Sequence, residues 1–142
     1  MRSLQPAPIR VLIADGDPRV GRALGRLLHD AVEVEVVATA TDGAASREYG
    51  SRLQPAVAIV DAGTARFDGL ALTRSLCQQT PAARVVVVSV YATLRAPAFA
   101  AGACRFLLKD CSRAELVAAI RWAARGQCQP ARDGLDGSRG AN

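Results

Sequence analysis

Five short apolar runs alternate with five helix-patterned stretches along this chain, and that strict alternation limits the fold more than any other feature of the sequence. The runs cover residues 9–14, 34–38, 57–60, 84–89 and 105–108, each β-branched or apolar and bounded by turn or capping residues. Val85-Val86-Val87-Val88 is apolar on both faces, as expected of a parallel strand covered by helices on each side. Parallel strands joined through helices cross over with right-handed sense, which places helices on both faces of the sheet. The expectation is an α/β fold: a (βα)5, doubly wound, parallel five-stranded sheet of flavodoxin-like form. At 142 residues it should enclose one core.

The helices announce themselves through caps and apolar stripes. Asp17 followed by Pro18 forms an N-cap and first-turn pair, with Val20, Leu24, Leu27 and Leu28 facing inward and Arg19, Arg22 and Arg26 on the wet face. Thr41-Asp42 opens a second helix to about residue 52. Asp68 caps a third, to about residue 78, with Leu72 and Leu76 inward. The fourth, over 93–101, contains Pro97, which removes a backbone donor, so it should be short, late in starting or kinked. Ser112-Arg113-Ala114-Glu115 has capping-box spacing, with Cys111 as the apolar staple. Leu116, Ala119, Ile120 and Ala123 supply the buried stripe, and Gly126 ends the helix. Residues 9–127 are thus one domain, 1–8 an N-terminal extension and 128–142 a tail expected to be disordered.

Composition narrows the function. Half of the residues are hydrophobic, yet none of the apolar runs approaches membrane-spanning length and the N-terminus lacks a signal-peptide core. A net charge of +5 could attract nucleic acid, but aromatics are only 4% of residues, leaving little to stack on bases. The single histidine, His29, excludes multi-histidine metal sites. Cys77, Cys104, Cys111 and Cys128 show no CxxC spacing, so reduced thiols in a cytoplasmic protein are expected. Of the 18 basic residues, only Lys109 is a lysine.

In a sheet of this kind ligands bind beyond the carboxyl ends of the strands. Strand one ends at Asp15, strand three at Asp61, strand four at Ser89 and strand five at Lys109. Two carboxylates on neighbouring strands can share a cation such as Mg2+, which takes one or two protein carboxylates and keeps water or phosphate oxygens elsewhere. A carboxylate can accept a phosphoryl group, a hydroxyl can donate to it, and a lysine can neutralise it. The glycines Gly21 and Gly25 lie inside helix one rather than before it, so no glycine-rich nucleotide loop is present.

The sequences IRVLIADGDP, VDAGTARFDG, VVVVSVY and GACRFLLKD, in that order at those strand ends, resemble the receiver domain of two-component response regulators over residues 9 to 127. The LLKD ending and the amphipathic helix after it are most similar to receivers that precede a LuxR-type helix-turn-helix; no DNA-binding domain follows within this sequence, leaving a stand-alone receiver and a truncated transcription factor both open. The resemblance implies Asp61 as phosphoacceptor, Ser89 as switch hydroxyl, Lys109 as phosphate contact and Phe106 at the aromatic switch position. It further implies Mg2+ held by Asp15, Asp61 and the Gly63 carbonyl, a partner histidine kinase, and output or homodimerisation through the face of helix four, strand five and helix five.

The departures from that family bear on both ends of the switch. Gly16 stands where the family carries its main carboxylate metal ligand, so a weakened Mg2+ site is expected. Asp17 could compensate, but a cap before Pro18 is the more natural role. Thr64 and Ala65 replace the usual Met-Pro after the acceptor, and Phe106 lacks a tyrosine hydroxyl. Two functions therefore remain: a phosphorylated receiver in a relay, or a phosphorylation-independent pseudo-receiver acting as an interaction or dimerisation module.

Overall fold

The computed structural model describes residues 6–65 and 67–129. Its elements alternate as expected: β1 (Ile9–Ala14), α1 (Pro18–His29), β2 (Val34–Ala40), α2 (Gly43–Leu53), β3 (Val57–Asp61), α3 (Gly69–Gln79), β4 (Arg84–Ser89), α4 (Arg95–Ala100), β5 (Arg105–Leu108) and α5 (Arg113–Ala124). All strand pairings are parallel, in the order β2-β1-β3-β4-β5. β2 runs two residues beyond the expected 34–38, and β3 carries on to Asp61 itself.

Side chains alternate between two apolar layers because strand residues point to opposite faces. Val11, Ile13, Val57, Ile59, Val86 and Val88 pack with Leu28 of α1 and Leu116, Ile120 and Ala123 of α5. On the opposite face, Leu12, Ala14, Ala58, Val60, Val85 and Val87 pack with Leu72 and Leu76 of α3 and Ala98 and Phe99 of α4. β3 is buried at every position, as a central strand covered on both faces should be.

The caps form as read. Asp17, Asp42 and Asp68 accept N–H groups at the starts of α1, α2 and α3, and Ser112 and Glu115 make a complete capping box on α5. α4 is short and starts late, as the sequence reading expected of a helix holding Pro97. A 3-10 turn at Ala92–Leu94 precedes the six-residue helix, and Pro97 falls in its first turn, where backbone N–H groups have no intrahelical acceptor in any case. On α1, Leu28 is buried, but Leu27 is 36% exposed rather than inward, because it lies at the rim of a groove between α1 and α5.

The expectation of four reduced thiols is corrected. Cys104 and Cys128 form a disulfide, while Cys77 and Cys111 are free. No short motif could signal this pair, since 24 residues separate its members. α5 runs back alongside the sheet, Gly126 turns the chain at φ +74°, and Cys128 is thereby returned to Cys104 at the start of β5. Of the expected tail, Cys128 and Gln129 are described and dock on β5; 130–142 lie outside the described residues, as do 1–5 of the N-terminal extension.

Candidate functional site

Strand register assembles the site. Ala14 lies opposite Val60, so the next residues along, Asp15 and Asp61, leave β1 and β3 side by side. Asp61 lies opposite Val88, which brings Ser89 to the following position, and the Lys109 N–H donates to the Ser89 carbonyl at 2.9 Å. The four residues singled out from strand ends thus meet at one edge of the sheet. Asp15 and Asp61 are each 1% exposed and Ser89 is fully buried.

Lys109 binds the two carboxylates together. Its Nζ lies 2.6 Å from Asp61 Oδ1 and 3.3 Å from Asp15 Oδ2. The other Asp15 oxygen, Oδ1, accepts the Asp17 backbone N–H at 2.9 Å. Ser89 Oγ accepts the Tyr91 N–H at 3.0 Å, which ties the hydroxyl to the loop that leads into α4 and leaves its proton to donate. Gly63 holds φ +98°, and a side chain there would also crowd Tyr91, Leu94 and Ser89. Phe106 is buried in the apolar layer beneath α4, with the Arg95 guanidinium over its ring at 5.9 Å and over Phe99 at 5.3 Å.

Burial pushes the Asp61 carboxyl above its ordinary value; Lys109 opposes this, and the negative charge of Asp15 adds to it. For Lys109 burial acts downward, but Asp61 and Asp15 outweigh it and hold the ammonium above the usual lysine value. A nucleophilic carboxylate must be ionised, so phosphoryl acceptance by Asp61 should climb as pH rises through a midpoint above the ordinary aspartate value. Lys109→Met removes the main lowering influence and should move that midpoint further up. A midpoint at or below the ordinary aspartate value in a pH series of adduct formation would contradict this.

Among the described residues, no three His, Cys, Asp or Glu side chains gather into a metal cluster. Asp17 is committed to its cap: Oδ1 accepts the Arg19 N–H at 2.9 Å and Oδ2 pairs with the Arg19 guanidinium at 3.1 Å. Asp15 and Asp61 nevertheless fit a hard cation. Neither Asp61 oxygen, both buried, accepts a well-aligned hydrogen bond, and two oxygen-bearing side chains match what Mg2+ takes from a protein. Two residues shape the site in ways that the sequence reading did not foresee. A Cβ at Gly69 would overlap the Asp61 carbonyl, so only glycine lets α3 start this close to the end of β3. Thr64 places its hydroxyl near Asp61, where it helps hold the carboxyl down. The signal for Gly69 was its place directly after the Asp68 cap, where the sequence reading saw only the cap.

A doubly wound parallel sheet whose carboxyl edge joins two buried aspartates, a hydroxyl and one ammonium defines a receiver-type signalling domain rather than a conventional enzyme. The chain belongs to the response regulator receiver domain family, whose profile matches residues 11–121. It is 32% identical to the NarL transcriptional regulatory protein of Mycobacterium tuberculosis over 129 residues, covering 89% of this chain and 60% of that one. To the transcriptional regulatory protein LiaR of Bacillus subtilis it is 30% identical over 126 residues, 84% of this chain and 57% of LiaR. The chain therefore spans less than two thirds of these relatives. Among solved structures, the signal receiver domain of Mycobacterium tuberculosis NarL superposes with TM-score 0.78 at 32% identity, covering 85% of this chain and 99% of that one. A LuxR-family response regulator from Aurantimonas sp. SI85-9A1 gives 0.79 at 26% identity, covering 89% and 92%. No helix among the described residues is long and apolar enough to cross a membrane.

Proposed function

We propose that this receiver takes a phosphoryl group on Asp61 from the phosphohistidine of a partner sensor kinase and signals through α4, β5 and α5. The observation that carries this reading is the Lys109 ammonium held between two buried aspartates, one of which, Asp61, has no well-aligned donor on either oxygen. An ionised Asp61 oxygen attacks phosphorus; the P–N bond breaks, and its electron pair returns to the imidazole, which is left neutral with a proton from solvent. The Lys109 Nζ then shifts from Asp61 to a phosphoryl oxygen, and Ser89 donates its hydroxyl proton to another. Because Ser89 Oγ also holds the Tyr91 N–H, its movement draws on the 3-10 turn and α4. Phe106, already buried beneath α4, adjusts with them.

Mg2+ would be held by Asp15, Asp61 and the Gly63 carbonyl, and bound there it would offset phosphoryl charge. Gly16 contributes no side-chain ligand and Asp17 serves the helix, so the site is weak for its class. The kinase would dock on the groove of about 300 Å³ between α1 and α5, which Val20, Leu24, Leu27, Cys111 and Leu116 line and which reaches Lys109. Its apolar floor opens onto the phosphoacceptor edge, where a histidine-bearing helix must arrive.

The same missing ligand favours a second reading, a phosphorylation-independent pseudo-receiver that acts as an interaction or dimerisation module. Transfer from an autophosphorylated, isotopically labelled sensor kinase encoded near this chain separates the two. Label should move to this protein within minutes, and Asp61→Asn should abolish the movement while Asp17→Asn leaves it intact. Retention of all label on the kinase favours the pseudo-receiver.

A further inference from the structure

β5 is one of the two edge strands of the sheet, and an edge strand carries unpaired backbone groups. Here part of that edge is covered by the chain itself. The Gln129 N–H donates to the Cys104 carbonyl at 2.8 Å, the Gln129 side-chain oxygen accepts the Phe106 N–H at 3.0 Å, and Arg105 donates to the Gln127 carbonyl at 2.5 Å. The Cys104–Cys128 disulfide fastens this three-residue strap to the start of the strand. The covered residue, Phe106, is the one at the aromatic switch position.

We propose that Cys104 and Cys128 form a thiol–disulfide switch that closes the edge of β5 when oxidised and opens it when reduced. The two sulfurs differ in access: Cys104 is 3% exposed, whereas Cys128 lies at the surface. A dithiol reductant therefore attacks Cys128 Sγ as its thiolate. The S–S bond breaks, Cys104 leaves as a thiolate and takes up a proton, and a mixed disulfide forms on Cys128. The second thiolate of the reductant attacks its own sulfur in the mixed disulfide, which releases Cys128 as a thiolate that takes up a proton. Two electrons pass to the protein and the reductant becomes a disulfide; the oxidised form of the same couple reverses each step. Freed of its fastening, the strap keeps its hydrogen bonds to an edge strand, and these open readily. This control acts without any phosphoryl group on Asp61.

Equilibration of the whole protein in mixtures of reduced and oxidised dithiothreitol, followed by alkylation in denaturant, should give two labels per chain when oxidised, at Cys77 and Cys111, and four when reduced. In the native protein, reduction should speed hydrogen exchange at the Phe106 and Gln129 amides about tenfold or more. The Ala62 amide, bonded to the Val88 carbonyl in the sheet interior, should keep its rate. Cys128→Ser should exchange like the reduced protein under both conditions. Four labels at every redox poise, or unchanged Phe106 exchange after reduction, would overturn the switch. Equal acceleration at Ala62 would also overturn it, reducing the bond to a staple of the whole fold.

Discussion

Lys109→Met should lower the free energy of unfolding at neutral pH by roughly 3 kcal/mol, since removing one partner of a buried ion pair leaves its counter-charge uncompensated. The figure is taken at the low end because the Lys109 side chain is 22% exposed, but two carboxylates, each 1% exposed, lose their shared cation. The loss should depend on pH in a definite direction. Asp61 already titrates above its ordinary value, and without Lys109 it would titrate higher still. A raised carboxyl favours folding below its unfolded value and loses that contribution as pH rises through its folded value. The difference between Lys109→Met and the parent should therefore shrink as acid protonates Asp61. Urea denaturation at neutral pH and near pH 4 tests this; an equal difference at both would mean that lost packing, not charge, is responsible.

Gly16→Asp should tighten Mg2+ binding about thirtyfold. One added unit charge about 4 Å from a divalent ion contributes about 2 kcal/mol even at the dielectric constant of water, and each 1.4 kcal/mol is a factor of about ten. The backbone accepts the change, since Gly16 is not among the glycines with positive φ. Titration calorimetry would follow it. The substitution adds a third carboxylate beside Asp15 and Asp61, so the metal-free protein should lose stability while the Mg2+-loaded protein regains it. Unchanged affinity would mean that position 16 does not face the cation.

These effects rest on features that differ in how openly the sequence displays them. The sheet and its carboxyl edge were legible because strand ends follow from local patterning, and parallel register then carries Asp15, Asp61, Ser89 and Lys109 to one place. Caps were legible for the same reason, since Asp17, Asp68 and Ser112 each act within three residues of their own position. What escaped depends on contacts distant in sequence or on close approach. Gly69 matters because of where the Asp61 carbonyl falls, and the Cys104–Cys128 pair because α5 returns to the start of β5. Leu27 fits the apolar stripe of α1 by period, but whether a stripe position is covered depends on the neighbour it meets, and α5 leaves a groove there.

The central claim is that Asp61 accepts a phosphoryl group despite the missing ligand at position 16. The most direct measurement is intact mass after incubation with acetyl phosphate and an excess of Mg2+, with Asp61→Asn in parallel. A single acid-stable, base-labile phosphoryl adduct on the parent protein, absent from Asp61→Asn and diminished in Lys109→Met, is the predicted result. An adduct that persists in Asp61→Asn, or no adduct at any Mg2+ concentration while Gly16→Asp acquires one, would contradict it.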